Sequence, residues 1–150
     1  MPDFVYYLIF GAIGSFVMSL GRMIGQKYLP HFPDMPLILS RIIDWGKPEP
    51  QRVARVMGQY VHLGVGSLWG LLYGMLVERQ FFFLEFSIVQ GVIFSLIPWL
   101  FLMVIIMPAL KEGFFALKIN KYQWFAGLIL HLLYGAVLGF LLSVFINTPF

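Results

Sequence analysis

The sequence predicts an all-α fold, a four-helix transmembrane bundle built from two repeated helical hairpins. Three features predict it. Of the 150 residues, 60% are hydrophobic and only 11% charged, whereas a soluble domain carries ~25% charged residues. The chain cannot cover a globule with a solvated skin, so lipid must take that place. Next, four apolar stretches are each long enough to cross a hydrocarbon core of ~30 Å, which takes ~20 helical residues. Finally, two of these stretches carry the same spaced pattern of a histidine followed by small residues.

The stretches lie at about residues 5–24, 56–77, 86–109 and 124–146, within one transmembrane domain that covers residues 1–150. The first lacks the positive leader of a secretory signal, since only Asp3 precedes it and Arg22 follows it, so it reads as a retained span. Orientation follows from the basic residues. Arg22, Lys27, Arg41, Lys47, Arg52 and Arg55 fall between the first and second spans, and Lys111, Lys118 and Lys121 between the third and fourth. Arg79 stands alone on the other side. Nine against one puts the crowded side in the cytoplasm, which implies a multi-pass inner-membrane protein with both termini outside. The basic balance is therefore a topology signal, and its spread along membrane loops speaks against a nucleic-acid partner. Tyr6 and Tyr7, the phenylalanines at 81–83, and Tyr122 with Trp124 stand where interface anchors are expected.

The loop at residues 25–55 is the one sizeable segment outside the spans. Asp34 can cap a short helix with Pro36 in its first turn. Leu39, Ile42, Ile43 and Trp45 then gather on one face, with Arg41 and Asp44 elsewhere, a pattern that predicts a helix lying on the inner membrane surface. The Lys47-Pro48-Glu49-Pro50 run ends it, because neither proline continues a helix. A plain connecting loop is the alternative.

The repeat lies in spans two and four. His62, Gly66, Gly70 and Gly74 follow at intervals of four residues, as do His131, Gly135, Gly139 and Ser143. That spacing forms one ridge on each helix, and small residues on a ridge let helix backbones approach closely in lipid. Spans one and three carry a fainter version, with Gly11, Ser15 and Ser19 in one and Ser87, Gly91 and Ser95 in the other. Two hairpins pointing the same way, related by an axis along the membrane normal, would produce this pattern.

The strings at residues 58–74 (GQYVHLGVGSLWGLLYG) and 130–139 (LHLLYGAVLG), with Trp99, Met107-Pro108 and Gly113-Phe114 between them, resemble an uncharacterised family of small prokaryotic four-helix membrane proteins. That family repeats a histidine-glycine-glycine ridge in its second and last helices and bears a distant likeness to YagU-like inner-membrane proteins. The resemblance implies a fold and an inner-membrane address, and no activity.

His62 and His131 are the strongest candidates for chemistry. Two histidines at one depth on different spans are the arrangement used for the axial ligands of a b-type haem, with a glycine one turn away to clear the ring. The plainer alternative is that each imidazole bonds a neighbouring helix, a contact worth ~0.6–2 kcal/mol. A zinc site would need further ligands, and His31 sits in the loop without a partner motif. There are no cysteines, which removes thiolate sites. No aspartate occurs within a span, so a serine–histidine–acid set is not credible, and every glycine cluster lies inside an apolar run that cannot cradle phosphate. Gln59 and Gln90 are expected to bond across helices. Pro98 is expected to bend span three and free a carbonyl.

The sequence thus favours a non-catalytic membrane protein without a cofactor, in contact with the lipid bilayer and with other membrane subunits or itself. Its ridges would support assembly in a complex or a homo-oligomer. A b-type haem electron carrier with His62 and His131 as axial ligands is the alternative. A small-solute or proton transporter is a further one.

Overall fold

Backbone N–H and C=O groups find no water in the hydrocarbon core, so a long apolar stretch there is helical. The computed structural model describes residues 3–28, 34–41 and 50–146. Its helices are α1 (Asp3–Tyr28), the six-residue α2 (Met35–Ser40), α3 (Gln51–Glu78), α4 (Ile88–Ala109) and α5 (Gln123–Phe145). Among the described residues there is no strand, and α1, α3, α4 and α5 are long and apolar enough to cross a membrane. α1 and α3 run past residues 24 and 56, where the apolar stretches stop, because hydrogen-bonded turns continue into the polar flank. α4 starts later than residue 86. The Ser87 hydroxyl caps it by accepting from the Gln90 N–H at 3.2 Å.

We call the end that carries Arg22 and Arg55 the basic end, and the end that carries Arg79 the far end. α1 packs along α3, α4 along α5, and α1 and α5 meet in the middle. α3 and α4 scarcely touch along their backbones. Rings bridge the seam between them, with Trp69 against Phe94 and Phe101 and Tyr73 against Phe94 at centroid distances of 4.8–6.2 Å.

Both hairpins close through main-chain contact. A Cβ on Gly11 would overlap the Gly66 carbonyl and lie 3.0 Å from Gly70 Cα. A Cβ on Gly91 would overlap the Gly135 carbonyl and lie 2.9 Å from Gly139 Cα. Ser15 stands against Gly66 as Ser95 stands against Gly135. The ridges of spans two and four therefore meet spans one and three, and not each other. At the far end Gly74 makes room for the Tyr7 ring, and the Tyr7 hydroxyl donates to Glu78 at 2.6 Å. Ser143 makes no such contact, because its hydroxyl bonds the Phe140 carbonyl of its own helix at 2.8 Å.

The loop helix departs most from expectation. Over its described residues α2 packs into the bundle instead of presenting a free apolar face. Met35, Ile38, Leu39 and Ser40 are all buried, and the helix is pressed into the basic end of the bundle. One side meets α3 so closely that a Cβ on Gly58 would overlap the Pro36 carbonyl. Another side packs Met35 and Ile38 against Met103 and Met107 of α4 and Ala116 beyond it. Nor does Asp34 cap α2 with its side chain. Its carboxylate accepts instead from Arg22 Nη1 at 3.2 Å and Arg55 Nε at 2.7 Å, since two guanidinium groups outcompete backbone N–H groups for one anion. A second ion pair, Arg41 with Glu112, ties the end of α2 to the turn after α4. The expected face residues Ile42, Ile43 and Trp45, and the run from Lys47 to Glu49, lie outside the described residues.

Pro98 is buried within α4 and has no N–H for the i−4 bond. The helix leaves α geometry one turn later, in a π-helical turn at Leu102–Ile106. Gln90 also differs from expectation. Its side-chain oxygen accepts from the backbone of Leu84 at 2.8 Å and of Glu85 at 3.4 Å, so it fastens the far-end turn rather than a helix pair.

Candidate functional site

His62 and His131 open the two ridges, one turn before Gly66 and Gly135, at the depth where the four long helices leave a gap between the hairpins. Both line a chamber of about 140 Å³. Every helix contributes to its wall. α1 supplies Ser15 and Met18, and α3 supplies Val61, Val65 and Trp69 beside His62. α4 supplies Pro98, Phe101 and the π-helical turn, and α5 supplies Tyr134 beside His131. Met35 and Leu39 of α2 close the basic end. The wall is apolar apart from Ser15, the two imidazoles, the Tyr134 hydroxyl and the indole N–H of Trp69.

Hydrogen bonds fix how the imidazoles present themselves. His131 Nδ1 lies 2.8 Å from the Gly127 carbonyl one turn earlier. A carbonyl only accepts, so this nitrogen carries the proton. His62 Nδ1 lies 3.2 Å from Ser19 Oγ. The Ser19 hydroxyl donates its single proton to the Ser15 carbonyl at 3.0 Å and accepts from Gln59 Nε2 at 2.9 Å. Ser19 is left only as an acceptor toward His62, so His62 Nδ1 is a donor too. Neutral imidazole then has a bare lone pair on Nε2. Both histidines hold the same tautomer, each by way of its own hairpin. The Tyr134 hydroxyl donates to the Gly66 carbonyl at 2.8 Å, a bond from α5 to α3 across the bundle.

Two bare Nε2 atoms are the donor chemistry that a haem iron requires. The space is not. A cavity of about 150 Å³ takes one benzene, and a macrocycle of four pyrroles does not enter a chamber of about 140 Å³ without parting the hairpins. The residues present therefore do not fit haem in this conformation. Metal binding by the protein alone is equally short of ligands. No group of three or more histidine, aspartate or glutamate side chains with metal-ligand placement occurs among the described residues, and His31 lies outside them. The acids stand away from the chamber, with Glu78 on Tyr7 at the far end and Asp34 between two arginines at the basic end.

Of the ridge glycines, Gly66 reaches the chamber wall, while Gly70, Gly74, Gly135 and Gly139 serve contacts between helices. Ser19 and Gln59 set the His62 tautomer, and their only signal in the sequence is the small-residue row of span one and a polar residue within span two. Met35 carries no signal and Leu39 only that of an apolar face, because a short helix does not reveal what it packs against. No known protein-family model matches the chain, and no characterised protein or solved structure matches it either.

Proposed function

We propose that the chain is a non-catalytic membrane protein that takes a small, largely apolar molecule from the bilayer and holds it between its two hairpins. The observation that carries this reading is the position of the chamber. It lies behind the α3–α4 seam, where side-chain rings rather than packed backbones close the gap. A molecule dissolved in lipid needs only rotations of Trp69 and Phe101 to pass. The ridges, which on sequence grounds suit assembly with other subunits, are occupied within the chain. The outward faces are lipid-like and would serve a second copy or another subunit only through ordinary apolar contact. The matched glycine contacts support an origin by duplication of one hairpin. The basic end is assigned to the cytoplasm of a prokaryotic cell on the nine-to-one distribution of basic residues.

The test is binding of 4-fluorotoluene to the protein in lipid nanodiscs, followed by fluorine NMR. Wild type should show saturable binding above partition into lipid. Val65→Trp, which adds bulk to the chamber wall, should lose it while keeping its helix content. Equal signals from the two proteins would mean that the chamber is not a binding site.

A further inference from the structure

The polar atoms on the chamber wall are not a random mixture. The Nδ1 proton of His131 is committed to Gly127, that of His62 to Ser19, and the hydroxyl proton of Tyr134 to Gly66. What these three groups can still offer an occupant is lone pairs, on two Nε2 atoms and one phenolic oxygen. Neither Nε2 has a hydrogen-bond partner among the described residues, and both imidazoles line the chamber. The Ser15 hydroxyl rotates and serves a donor or an acceptor equally.

We infer that the chamber selects neutral aromatic alcohols, the phenol class, over hydrocarbons and ethers of the same size, because three of its polar groups, His62, His131 and Tyr134, have their protons committed and face an occupant as acceptors on an aromatic wall. The inference rests on the binding role proposed above. An occupant with an O–H group satisfies a buried acceptor that a hydrocarbon leaves unpaired, and leaving a buried polar atom unpaired is costly. At these three groups an ether oxygen or ketone would set lone pair against lone pair, and only Ser15 or the Trp69 N–H could serve it. Cations are excluded by the lack of any carboxylate on the wall, since an unpaired charge is not tolerated in so apolar a space. Size and shape narrow the class further. A volume of about 140 Å³ holds roughly one aromatic ring. Trp69, Phe101 and Tyr134 supply ring faces and edges for offset or perpendicular contact.

The experiment compares 4-fluorophenol, 4-fluoroanisole and 4-fluorotoluene by fluorine NMR in the same nanodiscs, with the Val65→Trp protein giving the lipid baseline for each. Phenol is expected to bind about tenfold more tightly than toluene, the effect of one added hydrogen bond, and anisole no more tightly than toluene. The His62→Phe, His131→Phe double variant keeps aromatic bulk and removes both Nε2 acceptors. It should retain toluene binding and lose the phenol preference. Should it fail to fold, the paired Leu variants serve, since they also lack an acceptor, and the wild-type ranking of the three compounds stands as a test by itself. Equal binding of all three, or a preference that survives in the double variant, overturns the inference and leaves the binding role intact. Binding of none overturns both.

Discussion

Replacing Gly70 with alanine puts a methyl carbon on the Tyr7 carbonyl oxygen, 2.7 Å from Gly11 Cα and 3.0 Å from Gly11 N. All three are main-chain atoms of α1, so no rotamer change relieves the overlap. Ordinary contact between such atoms is restored only when α1 and α3 part by about 1 Å, and a gap of that size forfeits about a quarter to a half of each dispersion contact across the interface. Overpacking of this kind costs ~1–3 kcal/mol. Alanine also gains up to ~1 kcal/mol over glycine in helix propensity. Gly64, on the same helix, isolates that gain, because nothing lies within 4 Å of a Cβ added there. Unfolding of the protein in mixed micelles by titration with a denaturing detergent should therefore separate the two variants. Gly64→Ala is expected at or slightly above wild type, and Gly70→Ala about 1–3 kcal/mol below Gly64→Ala. Gly91→Ala, which drives a carbon into the Gly135 carbonyl of the other hairpin, should behave like Gly70→Ala. If Gly70→Ala and Gly64→Ala unfolded together, the hairpins would not be closed by backbone contact, and the account of how the histidines are aimed would go with it.

Tyr134→Phe removes the one hydroxyl that bonds α5 to the Gly66 carbonyl, and the same titration should show a loss of about 0.5–1.5 kcal/mol. In Asp34→Asn the partly buried Arg22 loses its anion and the half-exposed Arg55 loses less, for a combined loss of about 1–2 kcal/mol. Loosening of α2 should also speed modification of a cysteine placed at Met35, and an unchanged rate would show that the ion pairs do not hold α2 in place. For orientation, a single cysteine at Gln80 should react with an impermeant thiol reagent in intact cells while one at Lys118 is protected. The opposite pattern would place the basic end outside.

The four long helices were legible because hydropathy over twenty residues needs no knowledge of neighbours. The ridges were legible as ridges, since spacing by four on a helix defines a face. Their partners were not. Small residues announce close approach without saying to what, so the glycines of spans two and four suggested either contact with each other or room for a flat cofactor. In the structure they meet Gly11 and Gly91 of the odd helices, whose rows are fainter in sequence because serines share the work. That choice leaves the histidines beside a chamber between the hairpins. Which ring nitrogen holds the proton depended on Ser19, forty-three residues from His62, and on the Gly127 carbonyl. The burial of α2 was hidden for a similar reason. Its six residues contain no period long enough to show a face, and part of what covers them is supplied by Met103, Met107 and Ala116.

That arrangement of α2 bears on the order in which the molecule is put together. Chain is made from the N-terminus, so α1 and α3 can pair as soon as α3 has left the ribosome, and Gly58 can then receive Pro36. The other side of α2 has nothing to meet until the last turns of α4 and the residues around Ala116 exist, some sixty to eighty positions later (Met35 to Met103, and Ile38 to Ala116). During that interval the first hairpin stands in the bilayer with one end unsealed. That seal cannot be complete before residues of the second hairpin are present to form it.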